Sequence, residues 1–148
     1  MTEMSGRALG VHARERDKRA SKQRCHASLA WGGMNTEHPT ANLHVIELAV
    51  AAIEKLAPIV ATVKAHDRDL ADQIRRSATS VALNAAEGLG SSGGTRRARL
   101  ETARGSAKET RVALRVACAW GYLDRDRVRD ADADLDRVGA MLWRLSRG

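Results

Sequence analysis

The glycines of GLGSSG, residues 88–93, come closest to a cofactor motif. Their spacing matches the GxGxxG motif with which dinucleotide-binding proteins hold a pyrophosphate, and the longer GLGSSGGT approximates a P-loop. Both motifs require a preceding strand, whereas the residues before Gly88 have a helical pattern. Gly94 also stands where a P-loop has its phosphate-binding lysine. We therefore interpret these glycines as a left-handed helix stop followed by a flexible turn.

Histidines could form a catalytic site, and clustered carboxylates could bind a metal ion. The five histidines lie in the N-terminal tail or at predicted helix edges, and none is spaced to pair with a nucleophile or a carboxylate. Alternating carboxylates occur at Asp130, Asp132, Asp134 and Asp136. Alternate residues of a helix point to different faces, so this run predicts a solvated acidic surface. The sequence predicts no catalytic site, no metal site and no cofactor.

Five basic residues predict a binding surface on the third of four predicted helices. Spacings of seven, four, three and four put them on one narrow face: Arg97, Arg104, Lys108, Arg111 and Arg115. Such a ridge suits a phosphate backbone or an acidic partner. Alternatively, Asp132 or Asp136 neutralises the ridge, within a subunit or across an interface. Because few aromatic residues are available to stack bases, both interpretations stay open.

A line of mostly short polar residues runs beside the apolar face of the second predicted helix. At spacings of four, three, four and three, it contains Gln73, Ser77, Ser80, Asn84 and Glu87. Ser and Asn are mediocre helix formers, and a solvated face normally favours Glu, Lys and Arg. We therefore predict a polar seam against another helix, either the third helix around Ser106 and Glu109 or a neighbouring subunit. Buried Asn and Glu would need hydrogen-bond partners and would fix the register of the two helices.

Trp143 lies well off the apolar stripe of the fourth predicted helix, which contains Leu135 and Leu142. A large exposed aromatic residue indicates an interface. The alternative is a tryptophan covered by the neighbouring helix or by the N-terminal tail.

Apolar residues at spacings of three and four predict four helices that would position these side chains. The first helix extends from Leu43 to about Lys64, and the second from its N-cap Asp67 to near Gly88. The third extends from about Thr95 to Trp120, with Gly121 as the stop, and the fourth begins at Asp124. The core face predicted for the first helix comprises Ile46, Ala49, Val50, Ile53, Leu56, Ala57, Val60 and Val63.

Short connections between helices of this length favour antiparallel neighbours, so we predict an all-α, up-down-up-down four-helix bundle over residues 41–148. A chain without Phe and with two Pro agrees with a helical fold. Many inward positions are Ala, which buries little area, and oligomerisation would add buried surface. Residues 1–40 read as a basic, disordered tail, and Met34 is an alternative start.

The net charge indicates which partners the chain could bind, and the cysteines indicate the redox compartment. Of the net charge of +7, residues 1–33 supply +4 and the rest of the chain +3. The chain has no apolar run long enough to span a membrane and no secretory signal. Cys25 and Cys118 stand alone, without the spacing of a disulfide framework or a zinc site. We expect a reduced, cytoplasmic protein.

The run QIRRSATSVALNAAEG (73–88), followed by ARGSAKET (103–110) and an AWGYL turn, resembles the four-helix-bundle proteins encoded within intervening sequences of bacterial large-subunit ribosomal RNA. The accessory protein of diversity-generating retroelements is similar to the same group. The resemblance covers about residues 42–146, and NxAEG and GSxxE are its most specific parts. Residues that match the family's second-helix signature are Gln73, Arg76, Ser77, Asn84, Glu87 and Gly88, and those that match the third are Gly105, Ser106 and Glu109.

The resemblance implies a small helical bundle that forms a homopentameric barrel and has no known enzymatic activity. In the retroelement branch it implies binding to nucleic acid and to a reverse transcriptase. The chain departs from the family pattern before the second helix, where an aromatic-Pro pair is usual, and after Gly90, where Ser91 and Ser92 replace a usual Arg. Two functions follow as hypotheses. One is a non-enzymatic oligomer that binds RNA or DNA through the basic ridge, and the other is a structural or protein-interaction bundle.

Overall fold

Four α-helices make up the part of the protein that the structure, a computed structural model, describes: residues 39–148, with side chains from Leu43 onward. They are α1 (Pro39–Lys64), α2 (Arg68–Leu89), α3 (Gly93–Ala119) and α4 (Arg125–Leu145). The predicted all-α four-helix bundle is confirmed, with no strand in this range. Residues 1–38 of the predicted tail, which include the alternative start at Met34, lie outside the described residues, and residues 39 and 40 belong to α1.

The four helices pack in a ring in which each contacts the next and α4 returns to α1. The interface between α2 and α3 is the most extensive. The core has two layers, one around Leu56, Ile74 and Leu114, and the other around Leu100 and Leu142. Among residues 39–148, none of the helices combines the length and apolar character that crossing a bilayer requires.

Two helix ends follow their local sequence signals, and one predicted stop differs. Asp67 caps α2, its carboxylate accepting a hydrogen bond from the backbone of Leu70 at 2.9 Å, as predicted. Gly121 has a φ of +74° and ends α3, also as predicted. A left-handed helix stop was predicted among the glycines of residues 88–93, but α2 continues to Leu89 and its C-cap, Gly90, has a φ of −82°. The left-handed glycine of this loop is Gly93, where α3 begins.

The core face predicted for α1 was rotated relative to the observed one. The structure buries Val45, Ala52 and Ile59, which were not in the predicted set, and exposes two members of it, Val50 and Ala57. The physical reason is that α1 is apolar around most of its circumference and packs against both α2 and α4. Helical periodicity identifies a core side only where polar residues bound the apolar stripe.

Candidate nucleic-acid interface

A groove between α3 and α4 gathers most of the basic residues that the sequence singles out. Arg104, Lys108 and Arg111 lie on one face of α3, and α4 contributes Trp143 and Arg144. The groove encloses about 410 Å³ and also contains the carboxylate of Asp136. We call it the basic groove. Four cationic side chains and one carboxylate in its lining make it a positively charged concavity.

Arg111 is held in place by two carboxylates of α4. Its Nε donates to Asp132 Oδ1 at 2.8 Å and its Nη2 donates to Asp132 Oδ2 at 3.2 Å, which is a bidentate pair. Its Nη1 donates to Asp136. Hydrogen bonding to Asp132 raises the pKa of Arg111, which stays charged. Arg111 is therefore neutralised within the subunit, as one of the two interpretations of the ridge predicts.

Arg104 is paired within its own helix. Its Nε and Nη2 donate to Glu101 Oε2 at 3.0 and 2.7 Å, and the Ser146 hydroxyl donates to Glu101 Oε1 at 3.0 Å. These hydrogen bonds hold the pKa of Glu101 below its ordinary value. Because ionisation of Glu101 is favoured by folding, this contribution is present at neutral pH and is lost as the pH falls through the lowered pKa.

Lys108 and Arg144 are the two exposed cations of the basic groove. Neither makes an ion pair within residues 43–148. An exposed cation with no protein carboxylate at contact distance keeps its charge available for a phosphate. The basic groove thus combines two available cations with two that are already paired.

The remaining two residues of the predicted ridge lie outside the basic groove. Arg115 lines a second groove of about 570 Å³ on the same α3/α4 side, together with Arg125 and Arg129. Cys118 also lines it, and burial raises the pKa of its thiol. Arg97 is exposed and lines neither groove. Three of the five predicted ridge residues are therefore brought together in one groove.

Trp143 is 44% exposed, and the guanidinium carbon of Arg147 lies 4.8 Å from its ring centroid. This contact is a cation–π interaction. A second exposed tryptophan, Trp120, is 69% exposed at the end of α3, and sequence reasoning missed it. The signal was its spacing of four from Val116 and of eight from Val112, which places the three apolar residues on one face of α3.

The run of aspartates in α4 is not the uniformly solvated surface that its composition predicted. Asp134 is 8% exposed and forms an ion pair with Lys55 of α1, and Asp132 pairs with Arg111. Asp130 is exposed. The run spreads over several helix faces because its members lie two residues apart. Within the described residues, no three of the His, Cys, Asp and Glu side chains are grouped as a metal site would require.

The polar line on α2 packs against α3. Ser80 Oγ and Ser106 Oγ lie 2.9 Å apart and share a hydrogen bond. Thr110, which is fully buried, has its hydroxyl 2.8 Å from Ser77 Oγ and 2.9 Å from the carbonyl oxygen of Ser106, so it donates to one or the other. Sequence reasoning missed Thr110, although it lies four residues after Ser106 on the same helical face.

The outer part of the seam is built from longer side chains. Asn84 Nδ2 donates to the Ser80 carbonyl and hydroxyl oxygens, both at 3.0 Å. Arg99 Nη1 donates to Asn84 Oδ1 at 3.3 Å, and Arg99 Nε lies 3.1 Å from Glu87 Oε2. At the other end, Gln73 donates to Glu109 and accepts a hydrogen bond from Arg76. Along the whole seam, therefore, the polar side chains of α2 form hydrogen bonds with α3 or within α2.

Replacing Asn84 by Leu is expected to lower stability. The substitution removes the hydrogen bonds to Ser80 and Arg99, at a cost of about 0.5–1.5 kcal/mol. Thermal unfolding followed by circular dichroism would measure it. Thr79→Leu is the matched control, since Thr79 is exposed and its hydroxyl bonds only its own helix. If Asn84→Leu melted no lower than the wild type, the seam would be ordinary solvated surface.

Comparison with known proteins identifies the family of this chain. The family model described as "23S rRNA-intervening sequence protein" matches residues 41–144. The chain belongs to the 23S rRNA-intervening sequence protein family. The polar seam and the lining of the basic groove up to Arg144 lie inside the matched range, whereas Ser146 and Arg147 follow it.

Solved structures support the fold of this family member. A protein of unknown function from the S23 ribosomal protein family of Bacteroides thetaiotaomicron superposes with a TM-score of 0.64 at 18% sequence identity. The match covers 74% of this chain and 100% of the other. At this identity the likeness shows the fold alone. No curated protein matches the chain.

Proposed function

We propose that this member of the 23S rRNA-intervening sequence protein family is a non-enzymatic, oligomeric bundle that binds RNA or DNA through the basic groove. The observation that carries the proposal is the pair of exposed cations, Lys108 and Arg144, which lie beside Arg104 in a concavity and make no ion pair within residues 43–148. The protein would act in the cytoplasm as an accessory factor in a ribonucleoprotein or reverse-transcriptase complex.

Electrostatics favours a polyanion as the ligand. Each phosphate that meets a protein cation releases a condensed counterion, and this release supplies most of the affinity of non-specific nucleic-acid binding. Because the family is named for 23S rRNA intervening sequences, RNA is tested beside DNA as a ligand.

Assembly into a homo-oligomer, with a pentamer as the specific form, is part of the proposal. Support comes from Val112, Val116 and Trp120, which recur every four residues on one exposed face of α3. Contiguous apolar surface of this kind is typical of a protein contact. Trp143 was predicted as an interface residue, and its place in the basic groove assigns it to the ligand side of this proposal.

Neutralising Asp136 tests the proposal, because Asp136 is the carboxylate of the groove lining and partly occupies Arg111. We expect Asp136→Asn to tighten oligonucleotide binding by roughly twofold to fivefold near 0.1 M salt, because it removes the negative charge of the groove lining while Arg111 keeps its pair with Asp132. Fluorescence anisotropy of a labelled oligonucleotide with the full chain would measure the change.

Asp130→Asn is the matched control. It makes the same charge change on the same helix, and Asp130 is exposed and lines neither groove. Equal effects of the two substitutions would mean that net charge, and not the basic groove, governs binding.

The second candidate function is a structural or protein-interaction bundle without nucleic-acid binding. The specific observation in its favour is that Asp132 and Asp136 neutralise Arg111 and that Glu101 pairs with Arg104. In that case the wild type and both Asp variants would bind no oligonucleotide. Asp136→Asn would then change only stability, and by a small amount, because Asp136 is largely exposed.

A further inference from the structure

An aromatic ring stands inside the basic groove, where phosphate binding alone would not require one. Trp143 is half-exposed and lines the groove together with Lys108 and Arg144. The guanidinium of Arg147 lies over its ring. We propose that the basic groove binds single-stranded nucleic acid in preference to duplex, with an unpaired base stacked on the indole of Trp143. This inference rests on the proposed function and deepens it by naming the ligand class.

The stacking step requires an unpaired base. In a duplex the faces of the bases are covered by their neighbours, so an indole on a protein surface can reach only base edges and the backbone. In a single strand every base has a face that can stack on an aromatic side chain, and such stacking is tolerant of sequence. Arg147 holds the indole in place from one side, which reduces the motion lost when a base binds.

The shape of the groove also favours a flexible strand. Its walls are packed helices, whose axes lie about 8–10 Å apart, whereas a duplex is wider than its own major groove of about 12 Å. A flexible strand can bring a base to Trp143 while its phosphates meet the exposed Lys108 and Arg144. A duplex would contact only these two protruding cations.

The size of the groove fits a nucleotide, and the surface beyond it allows a strand to continue. A volume of about 410 Å³ is in the range of small-molecule sites. The second groove follows on the same side of the bundle, where Arg115 and Arg125 make no ion pair within residues 43–148 and Arg129 is paired with Asp126. Trp143 and Arg129 are fourteen residues apart on α4, which corresponds to about 21 Å along the helix. A strand anchored at Trp143 would therefore meet further cations as it leaves the basic groove.

The test compares Trp143 with an exposed apolar residue of α2, Leu83, in the full chain. Binding of single-stranded RNA, single-stranded DNA and duplex, each about 12 nucleotides long, is measured by anisotropy for the wild type, Trp143→Ala and Leu83→Ala. Leu83 lines neither groove and is the control. We expect the wild type to bind single strands at least about tenfold more tightly than duplex. Trp143→Ala should lose at least about fivefold on single strands and little on duplex, and Leu83→Ala should match the wild type on all three.

A spectroscopic measurement keeps the proposal testable if Trp143→Ala folds poorly. In the full chain with Trp31→Phe and Trp120→Phe, Trp143 is the one remaining tryptophan. Stacking of a base should quench its fluorescence on addition of a single strand, and an equal concentration of duplex should not.

The outcomes separate this inference from the proposed function. Equal binding of single strand and duplex, an unchanged affinity in Trp143→Ala, or unquenched Trp143 fluorescence would overturn the stacking site. If binding in such a case still depended on Lys108 and Arg144, the proposed function would stand without it. Absence of binding to every oligonucleotide would overturn both.

Discussion

Reversal of the two exposed groove cations, Lys108→Glu with Arg144→Glu, is expected to weaken oligonucleotide binding by roughly fiftyfold or more near 0.1 M salt. Both side chains are exposed and neither makes an ion pair within residues 43–148. Each lost phosphate contact removes about one released counterion, which is worth roughly eightfold at that salt concentration. Anisotropy titration of the full chain at fixed salt measures the effect.

A charge-matched pair provides the control for this prediction. Lys64→Glu with Arg68→Glu makes the same change in net charge at the turn between α1 and α2, and neither residue lines a groove. We expect this control to bind within a fewfold of the wild type, because screening limits the reach of surface charges to about 10 Å. Similar losses in both double variants would show that total charge determines binding and would remove the basic groove from the account.

The close approach of α2 and α3 predicts strong coupling between Gly88 and Leu100. A Cβ added at Gly88 would lie 2.9 Å from Leu100 Cγ and Cδ2, and Leu100 is fully buried. Leu100→Ala should cost about 2–5 kcal/mol of unfolding free energy. Gly88→Ala should cost about 0–2 kcal/mol, since overpacking of about 1–3 kcal/mol exceeds the helix-propensity gain of about 1 kcal/mol.

The two changes together should be less harmful than their sum. In the Leu100→Ala background the added methyl group enters vacated space, so Gly88→Ala should become stabilising by about 1 kcal/mol. Urea unfolding of the four members of the cycle measures the coupling. Gly105→Ala is the matched control, because a Cβ at that helical glycine of α3 has nothing within 4 Å and should stabilise in either background. An equal gain at Gly88 and Gly105 in the wild-type background would contradict the observed approach of the helices.

The sequence predicts α2 more accurately than α1 for a physical reason. In α2 the apolar face that contains Ile74, Val81 and Ala85 is bordered by polar residues, so its period defines one buried side, and the structure buries all three. In α1 apolar residues extend around the helix, so the same period fits several orientations. Choosing among them depends on how α2 and α4 pack on it, which the local sequence does not contain.

The candidate site also has a part that the sequence predicts and a part that depends on helix packing. Spacing along one helix is enough to place Arg104, Lys108 and Arg111 on a common face. The spacing does not indicate that Trp143 and Arg144 complete a groove with them, because that arrangement depends on how α4 packs against α3. The ligand of the basic groove and the oligomeric state stay predictions.

The salt dependence of binding by the full chain tests the central claim most directly. If the two available cations of the groove, Lys108 and Arg144, each meet a phosphate, the slope of log affinity against log salt should be about −1.5 for a single strand and about −2 for a DNA duplex. Replacing Lys108 and Arg144 by Glu should flatten the slope by about two units for DNA duplex and by somewhat less for a single strand. A slope that is equally steep in this double variant and in the wild type would assign the binding to another basic part of the chain and contradict a nucleic-acid site between α3 and α4.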